Sequence, residues 1–329
     1  MERYINSFST ENDIQIALEN GELLKPYVAY IEDADRIDWN SKDKVDYATE
    51  YLTFNILSAG TINWTANSTA LTKTIDYKLN NGEWVSITSN TGSSAPTITV
   101  NSGDKVQFRG NNAQYATNNY SDYNSFKGST ALFEAEGNAM SLIYGDNFKN
   151  NSTISSIFAL ASLFRGCTNL GSAKNLILPS TTLVSYCYDS MFDGCASLTT
   201  APELPATTLA QYCYRYMFQN CTSLTPAPAL PATKLSDNCY ESMFNGCTSL
   251  TTAPELPATT LANSCYKSMF QGCTKLNYIK CLANIYDTTG YTTNWVKGVA
   301  SKGTFVKTSG SRWSTGDSGI PTGWTKQNA

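Results

Sequence analysis

The pattern of apolar and polar positions divides the chain into a region of short strands and a region of tandem repeats. Between residues 46 and 148, short runs rich in β-branched and aromatic residues alternate with turn sequences. Asn81-Gly82, between TIDYKL and EWVSI, is typical of a hairpin in which both turn residues have positive φ. About seven such runs at this spacing predict an all-β, sandwich-like domain.

A second pattern, in the C-terminal half, repeats with a fixed period. Cys195, Cys221, Cys247 and Cys273 are 26 residues apart, and the residues between them are nearly the same in each copy. Such a period indicates a solenoid, in which each copy is one structural unit that stacks on the next. A first, irregular copy begins near Ala159, and the pattern decays after Cys273.

Each copy is predicted to form an extended segment followed by a short helix. Pro202 and Pro205 disfavour a helix in the first half of a copy. The second half, LAxxCYxxMF, spaces its apolar residues three and four positions apart, which is the helical period. One copy buries too few apolar side chains to offset the cost of ordering its backbone, so only a stack is expected to be stable.

Two further segments flank these regions. Residues 1–45 are predicted to form a leader in which KPYVAYIED is a strand, RIDWN is its hairpin partner and a short capped helix precedes both. We interpret the leader as an attachment or oligomerisation element; the alternative is a strand that docks on the next domain. The β-domain is then residues 46–148, the repeats are residues 149–285 and a C-terminal cap is residues 286–329.

The MFxGCTSL blocks and the LPATTL segments resemble leucine-rich repeats of the BspA type. Those repeats occur in surface proteins of gut and oral bacteria and in phages that infect them. The resemblance covers about 120 residues and recurs in tandem. With the patterns above, it gives a mixed fold class: an N-terminal all-β sandwich-like domain, a leucine-rich-repeat solenoid of strands and short helices with a 26-residue period, and a C-terminal cap.

The ten cysteines could form disulfides, hold a metal or stay reduced. In each regular copy two cysteines lie eight residues apart, as Cys213 and Cys221 do. If the residues between them are helical, the two are about 12 Å apart, beyond the roughly 7 Å that a disulfide tolerates. We predict ladders of buried, reduced thiols. Disulfides between copies remain an alternative, and a metal is least favoured because the chain has no CxxC pair and no histidine.

Composition argues against several classes of function. The net charge is −4, which disfavours nucleic-acid binding. The absence of histidine removes the commonest general base and makes a Ser-His-Asp triad impossible. No phosphate-binding glycine loop occurs, and Glu203 and Glu255 are two copies apart, too far for an acid–base pair. Neither a cofactor nor an enzymatic activity is expected.

Two further absences bear on location and metal binding. The N-terminus has no apolar core of a signal peptide, and no apolar run approaches the roughly 18 residues of a membrane span. Signal-directed export and membrane insertion are therefore not expected, although a signal removed from the chain remains an alternative. Asp33, Asp35 and Asp38 could serve as calcium ligands, but the run lacks the glycine and the distal glutamate of a calcium loop. We interpret it as a solvated turn.

Two groups of residues are candidates for a ligand surface. Positions beside the core of the predicted helix vary between copies and are expected to form one solvent-facing stripe, because solenoids bind through extended surfaces. The polar loop 110–123 carries three tyrosines, and aromatic and amide side chains together suit sugar rings. The candidates are Tyr212, Arg215, Tyr216, Glu241 and Lys267 in the repeats, and Tyr115, Tyr120 and Tyr123 in the loop. Free drift at exposed positions and a merely solvated loop are the alternatives.

These features favour a non-enzymatic binding or structural protein. The leading hypothesis is a phage virion appendage, a fibre or decoration protein, that contacts a bacterial surface glycan or protein and joins other virion proteins through its leader. Its location would be the virion, which becomes extracellular after lysis. The alternatives are a bacterial cell-surface adhesin with the same modules and a carbohydrate-binding module that is attached to, or acts as, a glycan-degrading enzyme. A homo-oligomer is compatible with each of these.

Overall fold

The structure, a computed structural model, describes residues 28–29, 37–38, 46–285 and 290–329. It divides into two compact units, residues 1–46 and residues 47–329. In the first unit, strand β1 (Val28–Ala29) pairs antiparallel with β2 (Ile37–Asp38), within the two segments that the sequence predicts as a hairpin. The predicted leader helix, Asp33 and Asp35 lie outside the described residues, and so does the Asp38 side chain.

The second unit begins with a region of short strands. Its strands are β3 (Leu52–Ile56), β4 (Gly60–Asn63), β5 (Thr65–Ala66), β6 (Thr74–Leu79), β7 (Val85–Thr88), β8 (Thr97–Val100), β9 (Lys105–Gly110), β10 (Asn124–Ser125), β11 (Phe133–Asn138) and β12 (Leu170–Ile177). Six of them form one sheet in the order β12-β11-β3-β9-β6-β7, antiparallel except for the β11–β12 pair. The pairs β4–β8 and β5–β10 form two further ladders.

The predicted hairpin between β6 and β7 is present, but its turn differs from the prediction. Tyr77 pairs with Val85, and five residues connect the strands. Asn80 has a positive φ of 51°, whereas Asn81 and Gly82 do not have positive φ. The backbone N–H of Gly82 donates to the carbonyl of Leu79, which closes a turn one residue earlier than expected. The predicted two-residue Asn-Gly turn is therefore wrong.

Aromatic rings fill the core of the sheet and connect it to the repeats. The Phe54 ring lies 4.7 Å from Phe108 and 4.5 Å from Phe133, measured between centroids. Phe126 bridges this group to Phe164 of the first copy at 5.9 Å. Because all five side chains are fully buried, the strand region and the repeats share one continuous core.

The repeats contain none of the predicted short helices. Among the described residues the only α-helix is α1 (Ser141–Tyr144), and it lies before the repeats. In the segment predicted to be helical, Tyr212 and Tyr216 have φ of 60° and 56°, and the equivalent residues of other copies do the same. A right-handed helix requires negative φ at every residue. The predicted fold class, a sandwich followed by a leucine-rich-repeat solenoid of strands and helices, is therefore wrong.

Consecutive turns replace the helix and join each copy to the next. Alternate residues close a turn within the copy, as when the N–H of Asp189 donates to the carbonyl of Tyr186 at 3.2 Å. The residues between them donate to the following copy, as when the N–H of Ser190 donates to the carbonyl of Arg215 at 2.8 Å. This alternation satisfies the backbone without a helix, because every amide in the segment has either a local or a cross-copy partner.

Identical side chains stack in columns along the repeats. One column of phenylalanines has centroid separations of 5.2 to 5.7 Å and comprises Phe164, Phe192, Phe218, Phe244 and Phe270. A second column comprises Tyr188, Tyr214, Tyr240, Tyr266, Trp295 and Trp313. The four methionines at the repeated position are fully buried beside these rings. Each copy therefore completes its core only against its neighbours.

All ten cysteines are buried free thiols, which confirms the predicted thiol ladders. The second cysteine of each regular copy donates a hydrogen bond from Sγ to a phenylalanine carbonyl of the preceding copy, at 3.1 Å for Cys221 and Phe192. Burial raises the pKa of these thiols, to about 12 for Cys187, Cys273 and Cys281. They are therefore protonated and unreactive at neutral pH.

The predicted C-terminal cap begins with a further, degenerate copy of the turn segment. Gly290, Asn294 and Gly298 have positive φ at the same four-residue spacing as the turn residues of the repeats. Trp295 takes the position of the repeated methionine, and its carbonyl accepts the N–H of Phe270 at 2.8 Å. Strands β13 (Tyr278–Cys281), β14 (Thr304–Lys307) and β15 (Thr325–Asn328) form a parallel sheet in this part of the chain.

Candidate functional site

The loop 110–123 is held to the core by its first tyrosine. Tyr115 is fully buried, and its ring lies 5.8 Å from Trp64 in an edge-on arrangement. Its hydroxyl donates to the carbonyl of Leu142 at 2.8 Å. Burial raises the pKa of this phenol well above its ordinary value. Tyr115 is thus a structural residue, and the prediction that it lies on a ligand surface is wrong.

Tyr123, at the end of the loop, is also largely buried, with 9% of its surface exposed. It pairs with Ala116 across the loop in an isolated bridge. The side-chain cations of Lys127 and Arg165 lie 5.1 Å and 5.0 Å from the centre of its ring. These contacts fix the loop against the first copies of the repeat and leave little of Tyr123 for a ligand.

Arg215 joins the loop to the repeats. Its Nε and Nη2 donate to the two carboxylate oxygens of Asp189 at 2.8 Å and 3.1 Å, a bidentate pair. Its Nη1 donates to the hydroxyl of Tyr120 at 2.9 Å. Burial lowers the pKa of this guanidinium, but the hydrogen bonds and the charge of Asp189, together with Tyr120, outweigh burial and raise the pKa above its ordinary value. Burial also raises the pKa of Asp189, against the opposing effect of Arg215.

Four tyrosine rings surround the guanidinium of Arg215. The ring centres of Tyr120, Tyr186, Tyr212 and Tyr216 lie 5.1, 5.2, 4.6 and 5.0 Å from its central carbon. We call these four residues the tyrosine cluster. Cation–π contacts of this kind contribute about 0.5–2 kcal/mol each, and they fix the rings in one arrangement. Tyr120 is 59% exposed, so the cluster reaches the solvent.

The repeat geometry brings the cluster together. Phe158, Tyr186 and Tyr212 occupy the same positive-φ turn position in successive copies, and their rings stack at 4.7 Å with interplanar angles of 24° and 18°. The next copies carry Asn238 and Ser264 at this position, so the aromatic column ends at Tyr212. The cluster therefore forms only where aromatic copies meet the loop.

The other two candidates in the repeats form a separate ion pair. Glu241 is buried and accepts hydrogen bonds from Asn238 at 2.8 Å and Lys267 at 2.9 Å. The side chain of Lys267 is 45% exposed. Burial, and then the charge of Glu241, raises the pKa of the neighbouring Tyr216. The prediction of a solvent-facing stripe is thus wrong for Arg215 and Glu241, and Lys267 is exposed as expected.

The structure adds two residues that the sequence did not single out. Tyr186 occupies the position of Tyr212 one copy earlier, so alignment of the irregular first copies would have found it. Asp189 occupies the position of Arg215 one copy earlier, and its role depends on the stacking of neighbouring copies. The contact of Tyr120 with Arg215 joins residues 95 positions apart and carries no local sequence signal.

Chemically, the cluster offers ring faces, phenol hydroxyls and the edge of a guanidinium in a fixed arrangement. Within residues 46–285 and 290–329, no group of three His, Cys, Asp or Glu side chains is placed to hold a metal ion. In the described part of the chain, no helix is both long enough and apolar enough to cross a membrane. Comparison with protein-family models, curated proteins and solved structures gave no match.

Proposed function

We propose that the protein is a non-enzymatic binding protein that contacts a bacterial surface glycan or protein through the tyrosine cluster, as part of a phage virion appendage. The observation that carries the proposal is the exposed Tyr120, fixed by the guanidinium of Arg215 beside three further tyrosines. Tyrosine provides a large, rigid contact surface with a hydroxyl for hydrogen bonds, and it is enriched in recognition surfaces.

The ordering of the cluster also supports a binding role. A side chain that is free in solution loses about 0.5–1.5 kcal/mol of rotamer entropy when a ligand immobilises it. Tyr120 and Tyr212 already contact a buried guanidinium that is held by two hydrogen bonds to Asp189. Binding through such a pre-organised surface costs less entropy than binding through mobile side chains.

The resemblance of the MFxGCTSL and LPATTL motifs to BspA-type repeats supports a bacterial surface as the target and a phage particle as the location. In this proposal the leader joins the chain to other virion proteins. Labelling of purified virions with an antibody against this chain, viewed by negative-stain microscopy, tests the location. Labelled particles support it, and unlabelled particles that carry a detectable control antigen contradict it.

The binding role is tested with a fluorescently labelled full chain and a panel of gut and oral bacterial isolates in flow cytometry. We expect saturable binding to some isolates, and an approximately 10-fold weaker affinity for Tyr120→Ala, equivalent to about 1.4 kcal/mol. Val85→Ala, which truncates another exposed side chain, serves as the matched control and should bind like the wild type. Periodate treatment of the cells removes binding if the target is a glycan, and protease treatment removes it if the target is a protein.

Two outcomes contradict the proposed role of the cluster. In one, the chain binds none of the isolates although urea unfolding shows that it is folded. The other is binding of a Tyr120→Ala, Tyr212→Ala double variant with wild-type affinity. Because Tyr120 is 59% exposed, its truncation is not expected to unfold the chain.

A further inference from the structure

A second surface feature, separate from the tyrosine cluster, lies at the start of the loop 110–123. Where β6 and β9 run side by side, Asp76 pairs with Arg109 and Ile75 pairs with Gly110. Next to them, Asp146 belongs to a 3₁₀ turn that follows α1. These residues line a groove of about 370 Å³, within the size range of small-molecule sites.

Arg109 is fixed in this groove by two carboxylates and an aromatic ring. Its Nε donates to Asp76 at 3.1 Å, and its Nη1 donates to Asp146 at 2.8 and 2.9 Å. Its central carbon lies 4.3 Å from the centre of the Trp84 ring. In the described residues Nη2 has no hydrogen-bond partner, so two N–H donors of a rigid guanidinium remain available.

The carboxylates are fixed as well and keep spare acceptor capacity. The hydroxyl of Tyr51 donates to Asp146 at 2.8 Å, and the hydroxyl of Ser86 donates to Asp76 at 2.6 Å. The hydrogen bond from Tyr51, and then those from Arg109, lower the pKa of Asp146, which keeps it ionised at neutral pH. A carboxylate has about four lone-pair sites, so each can accept further hydrogen bonds.

The remaining polar groups of the groove come from the loop. Asn112 uses its amide N–H groups on the carbonyl of Thr74 at 2.8 Å and the hydroxyl of Tyr115 at 3.1 Å. Asn111 is exposed, and its side chain makes no hydrogen bond within the described residues. Gly110 lets the chain approach closely here, because a Cβ at this position would lie 2.7 Å from the carbonyl oxygen of Leu142.

We propose that this groove binds a neutral saccharide of one or two rings. Two carboxylates against one guanidinium leave a net negative charge, which disfavours anions. Six of the nine residues that line the groove have polar or charged side chains, which disfavours an apolar ligand. Fixed donors and acceptors placed side by side match the neighbouring hydroxyls of a sugar, which donate and accept at the same time. The site stands on its own geometry and does not depend on the tyrosine cluster.

The test is saturation-transfer NMR and calorimetry on the full chain with defined probes. The neutral probes are glucose, galactose, mannose, rhamnose, N-acetylglucosamine and their disaccharides; the charged probes are galacturonate, inorganic phosphate and Ca²⁺. We expect the chain to bind at least one neutral saccharide. Asp146→Ala should raise the Kd for this saccharide 10-fold or more, and Asn111→Ala should also raise it clearly. Tyr120→Ala should bind that saccharide like the wild type, which separates this site from the tyrosine cluster.

Three outcomes overturn the proposal. In the first, the wild-type chain binds no neutral saccharide. In the second, the wild type and Asp146→Ala bind the saccharide equally well. In the third, the chain binds only galacturonate, phosphate or Ca²⁺. Asp146 is 62% exposed and Asn111 has no intramolecular side-chain bond, so both variants are expected to fold. Loss of cell binding by the Tyr120→Ala variant, with unchanged saccharide binding, would support two separate sites.

Discussion

At the position of Arg215, successive copies carry side chains of alternating charge. Asp189, Arg215, Glu241 and Lys267 occupy this position in four consecutive copies and form two ion pairs, with N···O distances of 2.8 and 2.9 Å. Stacking places equivalent residues side by side, where like charges would repel and opposite charges attract. The alternation therefore makes the repeated position self-complementary, although it breaks the sequence repeat.

The Asp189–Arg215 pair is buried, so loss of one partner should cost more than loss of both charges. We expect Asp189→Ala to lower the free energy of unfolding by about 3 kcal/mol, because it leaves the guanidinium of Arg215 unpaired in a buried site. The double variant Asp189→Asn, Arg215→Gln keeps two polar groups without charge and should lose less. Urea unfolding monitored by circular dichroism measures both, and a double variant less stable than Asp189→Ala would contradict this account.

At the scale of the element, the turn segment of each copy depends on residues with positive φ at every fourth position. Ser264, Ser268 and Gly272 have φ of 52°, 53° and 76° in one copy. The left-handed conformation costs an L-residue about 1–2 kcal/mol and costs glycine almost nothing. Each copy therefore contains local strain, which the hydrogen bonds to the next copy must offset.

Glycine substitution should distinguish these turns from the helix expected earlier. We expect Ser268→Gly to raise the free energy of unfolding by about 1 kcal/mol, because it removes the strain of a positive φ. In a helix the same change would lower it by about 0.5 kcal/mol. Gln271→Gly, at a nearby position without positive φ, is the control and should destabilise the chain. A destabilising Ser268→Gly in urea unfolding would argue against the turn geometry.

The 26-residue period, the ladders of buried thiols and most strands could be predicted from the sequence, whereas the turns could not. Cys213, Met217 and Cys221 recur every four residues, which suits a helix and equally suits a series of four-residue turns. The distinguishing signal lies in the residues between them, where Gly194 and Gly246 mark a position that needs positive φ. Single-sequence periodicity does not register that signal, because Asn220 holds this position in another copy and the other positive-φ positions carry Ser, Asn or Tyr.

The candidate site was predicted in part for a related reason. Variation between copies pointed to Tyr212, Arg215 and Tyr216, and the structure brings these three together. Their partners come from another copy and from a distant loop. Such partners follow from the stacking register and from the fold of the loop, which a linear pattern of residues does not contain.

At the scale of the whole molecule, the strand region and the repeats share one core that holds ten buried thiols. Ionisation of a thiol in this core is opposed by burial, which raises the pKa of Cys187 from 9.0 to about 12. Four stacked tyrosines, Tyr188, Tyr214, Tyr240 and Tyr266, have pKa values raised well above 10.0 for the same reason. The free energy of unfolding of the repeat region therefore depends on pH in the alkaline range.

The direction of this linkage follows from the raised pKa values. Below pH 9 both states keep their thiols protonated, and the stability is fully present. Above pH 9 the unfolded chain ionises first, so stability is lost as the pH rises towards 12, by about 1.4 kcal/mol per pH unit for each thiol. We expect the urea midpoint to stay level up to about pH 9 and to fall steeply between pH 9 and pH 10.

A single-site variant provides the control for this pH dependence. Cys281→Ala removes one thiol whose pKa is raised to about 12, and should reduce the slope above pH 9 by about one proton. A urea midpoint that stays constant from pH 8 to pH 10 in the wild type would mean that the thiols are accessible to solvent.

The cross-copy hydrogen bonds have a consequence for how such a chain can change length. From the second copy onward, amides of the turn segment donate to the carbonyl 25 positions ahead, so the bonding pattern is the same at every regular junction. Excision of residues 221–246 would join Asn220 to Cys247 and leave the backbone donors of the turn segment facing acceptors, although it would place Arg215 beside Lys267. Excision of one residue fewer would misalign every backbone hydrogen bond between copies beyond the cut. Recombination between near-identical segments of the coding sequence can thus shorten or lengthen this molecule in whole units, with both ends unchanged.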